Sequence, residues 1–183
     1  MKRMILIDGN SLMYRAYFGI ADTSTLKPNS KGVFTNAIMS FARMMNHILQ
    51  EQFDNILVAF DAGKHTFRHD IMTDYKAGRA HMPEEMRMQI AHIKNLLDLL
   101  GVKRYEVALY EADDIIGTMA KKAEGEGYHV DIYSSDKDLL QLITDNTTVH
   151  LTKKGLTDLE DYTPSHFEEV YGIKVPQFID LKA

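Results

Sequence analysis

Three times in this chain a strand-like apolar run leads to an aspartate. Met4-Ile5-Leu6-Ile7 ends on Asp8, Ile56-Leu57-Val58-Ala59-Phe60 on Asp61, and Val130-Asp131-Ile132-Tyr133-Ser134-Ser135 runs into Asp136. A fourth acidic group, Glu111, Asp113 and Asp114, opens a helical pattern just after a further short strand at 103–107. Strand-like and helix-like segments alternate along the chain, which predicts a parallel sheet with helices on both faces. Ligands of open parallel sheets bind outside the carboxyl ends of the strands. In such a sheet the four acidic groups converge on one edge. Carboxylates gathered there raise one another's pKa unless cations share the site. Clustered oxygen ligands suit Mg²⁺ or Mn²⁺, so the pattern points to a hard-metal site suited to phosphate chemistry.

The helices between the strands follow from spacing. Ala37, Phe41, Met44, Met45 and Ile48 form one apolar face over 35–51. Pro83 with Glu84 and Glu85 starts a second helix that Gly101 stops, with Met86, Ile90, Ile93, Leu96, Leu97 and Leu100 as its stripe. Ala112, Ile115, Ile116, Met119 and Ala123 give the inner face of a third, over 112–126. Shorter helices are expected at 11–17, at 137–143, and at 164–171 after Thr163 as cap. Strands are expected at 4–8, 55–61, 103–107, 129–134 and 147–151, and Lys153-Lys154-Gly155 reads as a turn.

Composition narrows the chemistry. At 183 residues the chain can bury one full core. It has no cysteine, which excludes disulfides, thiolate zinc sites and cysteine nucleophiles. No apolar run approaches bilayer length and no signal peptide precedes the first strand, so the cytoplasm is the expected location. A net charge of −5 argues against a nucleic-acid binder until its distribution is considered. Lys64, Arg68, Lys76 and Arg79, with His65, His69 and His81, crowd one stretch that holds only Asp70 and Asp74 as acids.

Each feature has a plainer explanation. Asp8-Gly9-Asn10 could be a turn with a helix cap. The basic stretch at 62–82 could be a solvated loop, but connections longer than about 12–15 residues are usually functional or disordered. Within it, Tyr75-Lys76-Ala77-Gly78-Arg79 sets an aromatic beside two cations, suited to stacking a base while holding phosphate. Acidic residues in a first helical turn are favoured by the helix dipole at about 0.3–1 kcal/mol each, so one or two near Glu111 need no further cause. Geometry adds a condition, because Glu111 and Asp113 would face nearly opposite sides of a regular helix. Both reach one site only if Glu111 stands at or before the cap. The histidines lack zinc spacing. No phosphate-binding glycine loop and no Gly-x-Ser-x-Gly elbow is present.

Taken together, Ile7-Asp8-Gly9-Asn10-Ser11-Leu12 with Tyr14-Arg15-Ala16, Phe60-Asp61-Ala62-Gly63, Phe67-Arg68-His69, Tyr75-Lys76-Ala77-Gly78-Arg79, Tyr110-Glu111-Ala112-Asp113-Asp114 and Ser135-Asp136-Lys137-Asp138-Leu139 resemble one family in order and spacing. It is the 5′–3′ exonuclease domain found at the N-terminus of bacterial DNA polymerase I, related to flap endonucleases. The resemblance implies a PIN-like (resolvase-like) α/β fold in a single domain over 1–183, with a mainly parallel central sheet, helices on both faces and a basic arch at about 62–82. It implies hydrolysis of DNA phosphodiesters near 5′ ends and flap junctions, with two Mg²⁺ ions for which Mn²⁺ can substitute. By motif, Asp8, Asp61, Glu111 and Asp113 would serve the first metal, with Asp114 beside them, and Asp136 and Asp138 the second. Tyr75 would stack on a base and Tyr14, Arg68, Lys76 and Arg79 would meet the substrate, Lys76 and Arg79 also stabilising charge in the transition state. Family members continue past this chain's last residue into a Gly-Asp-x-Ser-Asp-Asn segment and a helix–hairpin element that grips duplex DNA. The expectation is a monomeric domain of a longer polymerase chain that stops short of both. Its alternatives are a DNA-binding fragment of low activity, a PIN-type ribonuclease and, further off, a phosphatase using Asp8 as nucleophile.

Overall fold

The structure is a computed structural model that describes residues 1–19, 27–63, 65–72, 74–75, 78, 81–153 and 158–182. In chain order the elements are β1 (Lys2–Asp8), α1 (Gly9–Phe18), α2 (Asn36–Ile48), β2 (Asn55–Ala59), α3 (Phe67–Ile71), α4 (Glu84–Leu99), β3 (Lys103–Tyr105), α5 (Ala112–Gly125), β4 (Tyr128–Ser134), a 3₁₀ turn (Lys137–Leu142), β5 (Thr147–Thr152), β6 (Leu159–Tyr162), α6 (Pro164–Tyr171), a second 3₁₀ turn (Val175–Gln177) and α7 (Phe178–Lys182). The strands form one six-stranded sheet in the order β3-β2-β1-β4-β5-β6. All neighbours are parallel except β5 and β6.

Period-two alternation sends successive residues of each strand to opposite faces. Ile5, Ile7, Val58, Phe60 and Tyr133 pack with Leu12, Phe41, Met45, Met86 and Ile93 from α1, α2 and α4. Leu6, Leu57, Ala59, Val130, Ile132 and Val149 pack on the other face with Ala112, Ile116 and Ala120 of α5 and with Phe167 of α6. The central strands are apolar on both faces for this reason, as buried parallel strands are. Among the described residues no helix is long and apolar enough to cross a membrane.

Two registers set the working edge. Asp8 pairs with Ala59 and Ile7 with Tyr133, so β1, β2 and β4 finish level with one another. The chain adds β2 and β3 on one side of β1, then returns to place β4 on the other, which makes the carboxyl end of β1 the topological switch point. The β1–α1 corner is tight. A Cβ on Gly9 would stand 2.6 Å from the Phe60 ring and 2.9 Å from the Ala59 carbonyl oxygen, so only glycine lets α1 begin directly on Asp8.

Three local outcomes differ from the sequence pattern. The basic stretch, which shows no period, contains the short helix α3. No strand is expected between the turn at 153–155 and Pro164, yet Leu159-Glu160-Asp161-Tyr162 forms the antiparallel edge strand β6. Its side chains lack a clear apolar alternation, and it is recruited by pairing with β5. Helix α1 begins at Gly9 rather than Ser11, because Asp8 itself caps it by accepting from the Ser11 N–H at 2.9 Å.

Edge strand β6 is joined to the sheet by charge as well as by backbone pairing. His150 of β5 stacks on Tyr133, with ring centroids 4.5 Å apart. Its ring nitrogens lie 2.9 Å from Asp131 Oδ1 and 2.7 Å from Asp161 Oδ1. Both partners are acceptors, so the two contacts favour the cationic ring, in which both nitrogens donate. Burial opposes that charge, but the bonds to Asp131 and Asp161 outweigh it and raise the His150 pKa above its ordinary value. Arg3 holds the other Asp131 oxygen at 2.9 Å and reaches Glu51 at 3.1 Å, while His129 stands 3.8 Å from Asp131.

A histidine whose pKa rises on folding stabilises fully below about pH 6.5 and loses that contribution as pH climbs through the folded value. The stability gap between wild type and His150→Ala, measured by denaturant unfolding, is expected to be of order 1–2 kcal/mol at pH 6 and to shrink toward pH 9. A gap that does not change with pH would show that His150 is neutral in the fold.

Candidate metal and phosphodiester site

At the switch point each acidic side chain has an identifiable hold. Asp8 is buried and accepts from the Ser11 N–H at 2.9 Å and from Ser134 Oγ at 2.8 Å. Ser134 Oγ also accepts from the Asp136 N–H at 2.9 Å, which ties the ends of β1 and β4 together. Asp61, just past β2, accepts from the Ala112 N–H at 2.7 Å, the first amide of α5. Asp136 caps the following 3₁₀ turn through the Asp138 N–H at 2.9 Å. Asp138 meets the Lys182 ammonium of α7.

Glu111 meets the condition set by helix geometry. It is the N-cap of α5, in extended backbone conformation, so its side chain does not follow the helical turn that carries Asp113. It is buried, with the Tyr75 hydroxyl donating to Oε2 at 3.2 Å. Asp114 accepts from the Glu111 N–H at 2.9 Å and takes both arms of Arg68, at 2.7 and 2.8 Å. Arg68 also stands 3.8 Å from Glu111.

Electrostatics show that these groups share one field. Burial, followed by repulsion from Asp8, Asp136, Asp61 and Glu111, pushes the Asp113 carboxyl up to about 7. Burial also pushes Asp8 up to about 6, with Asp61 and Asp136 adding to it and the bonds from Ser11 and Ser134 working against it. Five carboxylates, from three strand ends and the start of one helix, therefore share one field. Among the described residues, no three or more His, Asp or Glu side chains stand arranged to grip a metal ion as they are. Several are turned instead to their own donors. The donor chemistry fits a hard divalent cation all the same: every group is oxygen, and protons are drawn in where no cation shares the charge.

The structure brings together Asp8, Asp61, Glu111, Asp113 and Asp136, with Asp138 two residues further on and Asp114 paired to Arg68. Tyr75 reaches the same site through Glu111. Tyr14 lies on α1, partly exposed, with its ring stacked toward Phe18 at 6.1 Å. Lys64, Lys76 and Arg79 lie outside the described residues. Sequence reasoning missed Ser11 and Ser134, which orient Asp8. Ser11 acts through its backbone amide, which a cap at Asp8 receives whatever the side chain, and Ser134 through a hydroxyl placed two residues before the strand-end Asp136.

The family described as 5′-3′ exonuclease, N-terminal resolvase-like domain, matches residues 3–172. DNA polymerase I of Bacillus subtilis (strain 168) is 51% identical over 182 residues, covering 99% of this chain and 20% of the relative. The chain thus spans about a fifth of the length of the curated relatives it matches. Among solved structures, the bacteriophage T5 5′-exonuclease with bound divalent zinc ions superposes with a TM-score of 0.70 at 22% identity, over 99% of this chain and 65% of that one. A pseudo-enzyme–product complex of the bacteriophage T5 flap endonuclease with DNA and metal ions gives 0.67 at 21% identity, over 99% and 65%. At these identities the structural matches establish the fold: α/β, with a mainly parallel six-stranded sheet flanked by helices, as in flap nucleases.

An acid whose pKa rises on folding binds its proton more tightly in the folded chain, so stability falls as pH rises between the unfolded and folded values. With chelator present, the unfolding free energy is expected to drop between about pH 4 and about pH 7, by roughly 4 kcal/mol for Asp8 and Asp113 together after solvent screening. Millimolar Mg²⁺ or Mn²⁺ should remove most of the drop. A flat profile in chelator would mean that neither burial nor mutual repulsion raises these carboxyls.

Proposed function

We propose, from the premise that the chain belongs to the 5′–3′ exonuclease N-terminal, resolvase-like domain family, that it hydrolyses DNA phosphodiesters at 5′ ends and 5′-flap junctions as one domain of a longer polymerase. The observation that carries this reading is the gathering of Asp8, Asp61, Glu111, Asp113 and Asp136 on the edge where a parallel sheet binds its ligands, where burial and their repulsion push the Asp113 carboxyl up. Among the described residues, the cations Arg68 and Lys182 are already paired, with Asp114 and Asp138. Divalent cations answer the imbalance, and the T5 nuclease structures of the same fold are metal complexes.

In this reading Asp8, Asp61, Glu111 and Asp113 hold one Mg²⁺, directly or through water, and Asp136 with Asp138 holds a second. Bound cations of this kind activate a water and stabilise the leaving oxygen of an in-line phosphoryl displacement. The chain supplies the frame. Ser11 and Ser134 keep the Asp8 carboxylate oriented by donating to its two oxygens. Asp61 is fixed to the start of α5, so the spacing between β2 and the Glu111–Asp113 turn is set by a hydrogen bond rather than by a loop. Tyr75 presents its ring beside Glu111, where a substrate base can stack. Lys76 and Arg79, two cations following it in sequence, suit contact with the scissile phosphate and the charge that develops on it.

The test is cleavage of a 5′-labelled DNA flap duplex by this chain in Mg²⁺ and in chelator. Products at the junction or the 5′ end are expected only with metal. Asp113→Ala should reduce cleavage at least about 100-fold while leaving flap binding in Ca²⁺ within a few-fold of wild type. Undiminished cleavage by that variant would remove Asp113 from the site. Preference for an RNA flap over a DNA flap would replace this reading with that of a ribonuclease.

A further inference from the structure

Arg68 is a cation at the edge of the carboxylate site, and its resemblance-based role is to meet phosphate. The geometry gives its guanidinium another partner. Nη1 donates to Asp114 Oδ2 at 2.8 Å and Nη2 to Oδ1 at 2.7 Å, a two-pronged pair of the strongest kind between these groups. The same Asp114 Oδ2 accepts the Glu111 N–H at 2.9 Å. One carboxylate therefore holds Arg68 and also fixes the backbone of the residue that caps α5.

Around this pair the short helix α3 is fastened to the start of α5. The Phe67 N–H donates to the Leu109 carbonyl at 3.0 Å. The Arg68 guanidinium lies over the Phe67 ring at 4.7 Å and the Tyr75 ring at 6.0 Å. Tyr75 in turn donates to Glu111 Oε2 at 3.2 Å, and that oxygen is only 3.8 Å from Arg68 Nη1. The guanidinium thus stands between two carboxylates, bound closely to one and a short rotation from the other. If Asp114 lost its charge, the nearest place for the Arg68 cation would be Glu111.

We propose that Asp114 is a positioning residue: its two-pronged hold keeps the Arg68 guanidinium 3.8 Å from Glu111 instead of in closer contact, so that a divalent cation meets less competition at that carboxylate, and through Arg68 it holds α3 and Tyr75 against the site. This inference rests on the nuclease reading for its consequence in catalysis, but not for its effect on metal binding. It assigns Asp114 no metal contact and Arg68 no phosphate contact. A carboxylate in direct contact with a cation and one that merely holds a rival cation away respond differently to removal of the rival.

The experiment is calorimetric titration of Mn²⁺ into the chain without DNA, for wild type, Asp114→Asn, Arg68→Gln and the double variant, each checked for folding by circular dichroism. Asp114→Asn keeps the shape and the acceptor oxygen for the Glu111 N–H, so the start of α5 is preserved. It is expected to weaken Mn²⁺ binding by roughly tenfold, the range for loss of a supporting partner. Arg68→Gln alone should leave the affinity undiminished. The double variant should return to within about threefold of wild type, because the two changes are coupled rather than additive. A double variant as weak as Asp114→Asn would overturn the proposal and make Asp114 a ligand. A flap dissociation constant in chelator raised severalfold by Arg68→Gln but unmoved by Asp114→Asn would overturn it in favour of a phosphate contact. Failure of wild type to cleave any flap would refute the proposed function, while the Mn²⁺ series would still decide the role of Asp114.

Discussion

Repulsion among carboxylates at one edge of a parallel sheet is the constraint on which the rest of this structure depends. Parallel pairing makes β1, β2 and β4 end level, so the residues that follow them meet. The fold could have spent those positions on neutral turn formers. Instead it places Asp8, Asp61 and Asp136 there and aims the start of α5 at them, which adds Glu111 and Asp113. Burial then amplifies the interaction, because charges removed from water are screened less. The local structure around the site is largely a set of donors that offset this: the amides of Ser11, Ala112 and Asp138, the Ser134 and Tyr75 hydroxyls, and the guanidinium of Arg68.

Those donors do not neutralise the edge, and the imbalance falls mainly on Asp113 and Asp8. A site that holds protons near neutral pH is one that exchanges them for divalent cations, since each bound cation displaces the proton and relieves its neighbours. The same logic reaches outward to the basic segment. Its described part, α3 with Tyr75, is attached to the site through Glu111 and Asp114 rather than standing apart as a separate nucleic-acid surface. In the proposed reading, binding of metal and placement of the segment that would meet the DNA are linked through the first turn of one helix.

Much of this was legible before any coordinates. The alternation of strands with helical stripes predicted a parallel sheet, as found, and the strand-end aspartates marked the edge on which the carboxylates gather. Helix geometry set a condition on Glu111, that it share a site with Asp113 only from at or before the cap, and the structure places it at the cap. What sequence pattern could not show was contact made across long separations. Edge strand β6 owes its conformation to β5 and to the bridge from His150 to Asp161, not to any alternation of its own. Helix α3 forms where Arg68 and Phe67 find partners on the far side of the chain, Asp114 and Leu109. A lone arginine in a basic stretch reads as a phosphate contact, and only the geometry reveals that a carboxylate 46 residues away already holds it.

The most direct measurement is a ¹³C NMR titration of the aspartate side-chain carboxyls, first in chelator and then with saturating Mg²⁺. The account predicts that in chelator Asp8 titrates near 6 and Asp113 near 7. It also predicts that Mg²⁺ moves both down, to about 4 or below. Ordinary aspartate values in chelator, or raised values that Mg²⁺ leaves untouched, would contradict the claim that this edge of the sheet is a carboxylate cluster awaiting cations.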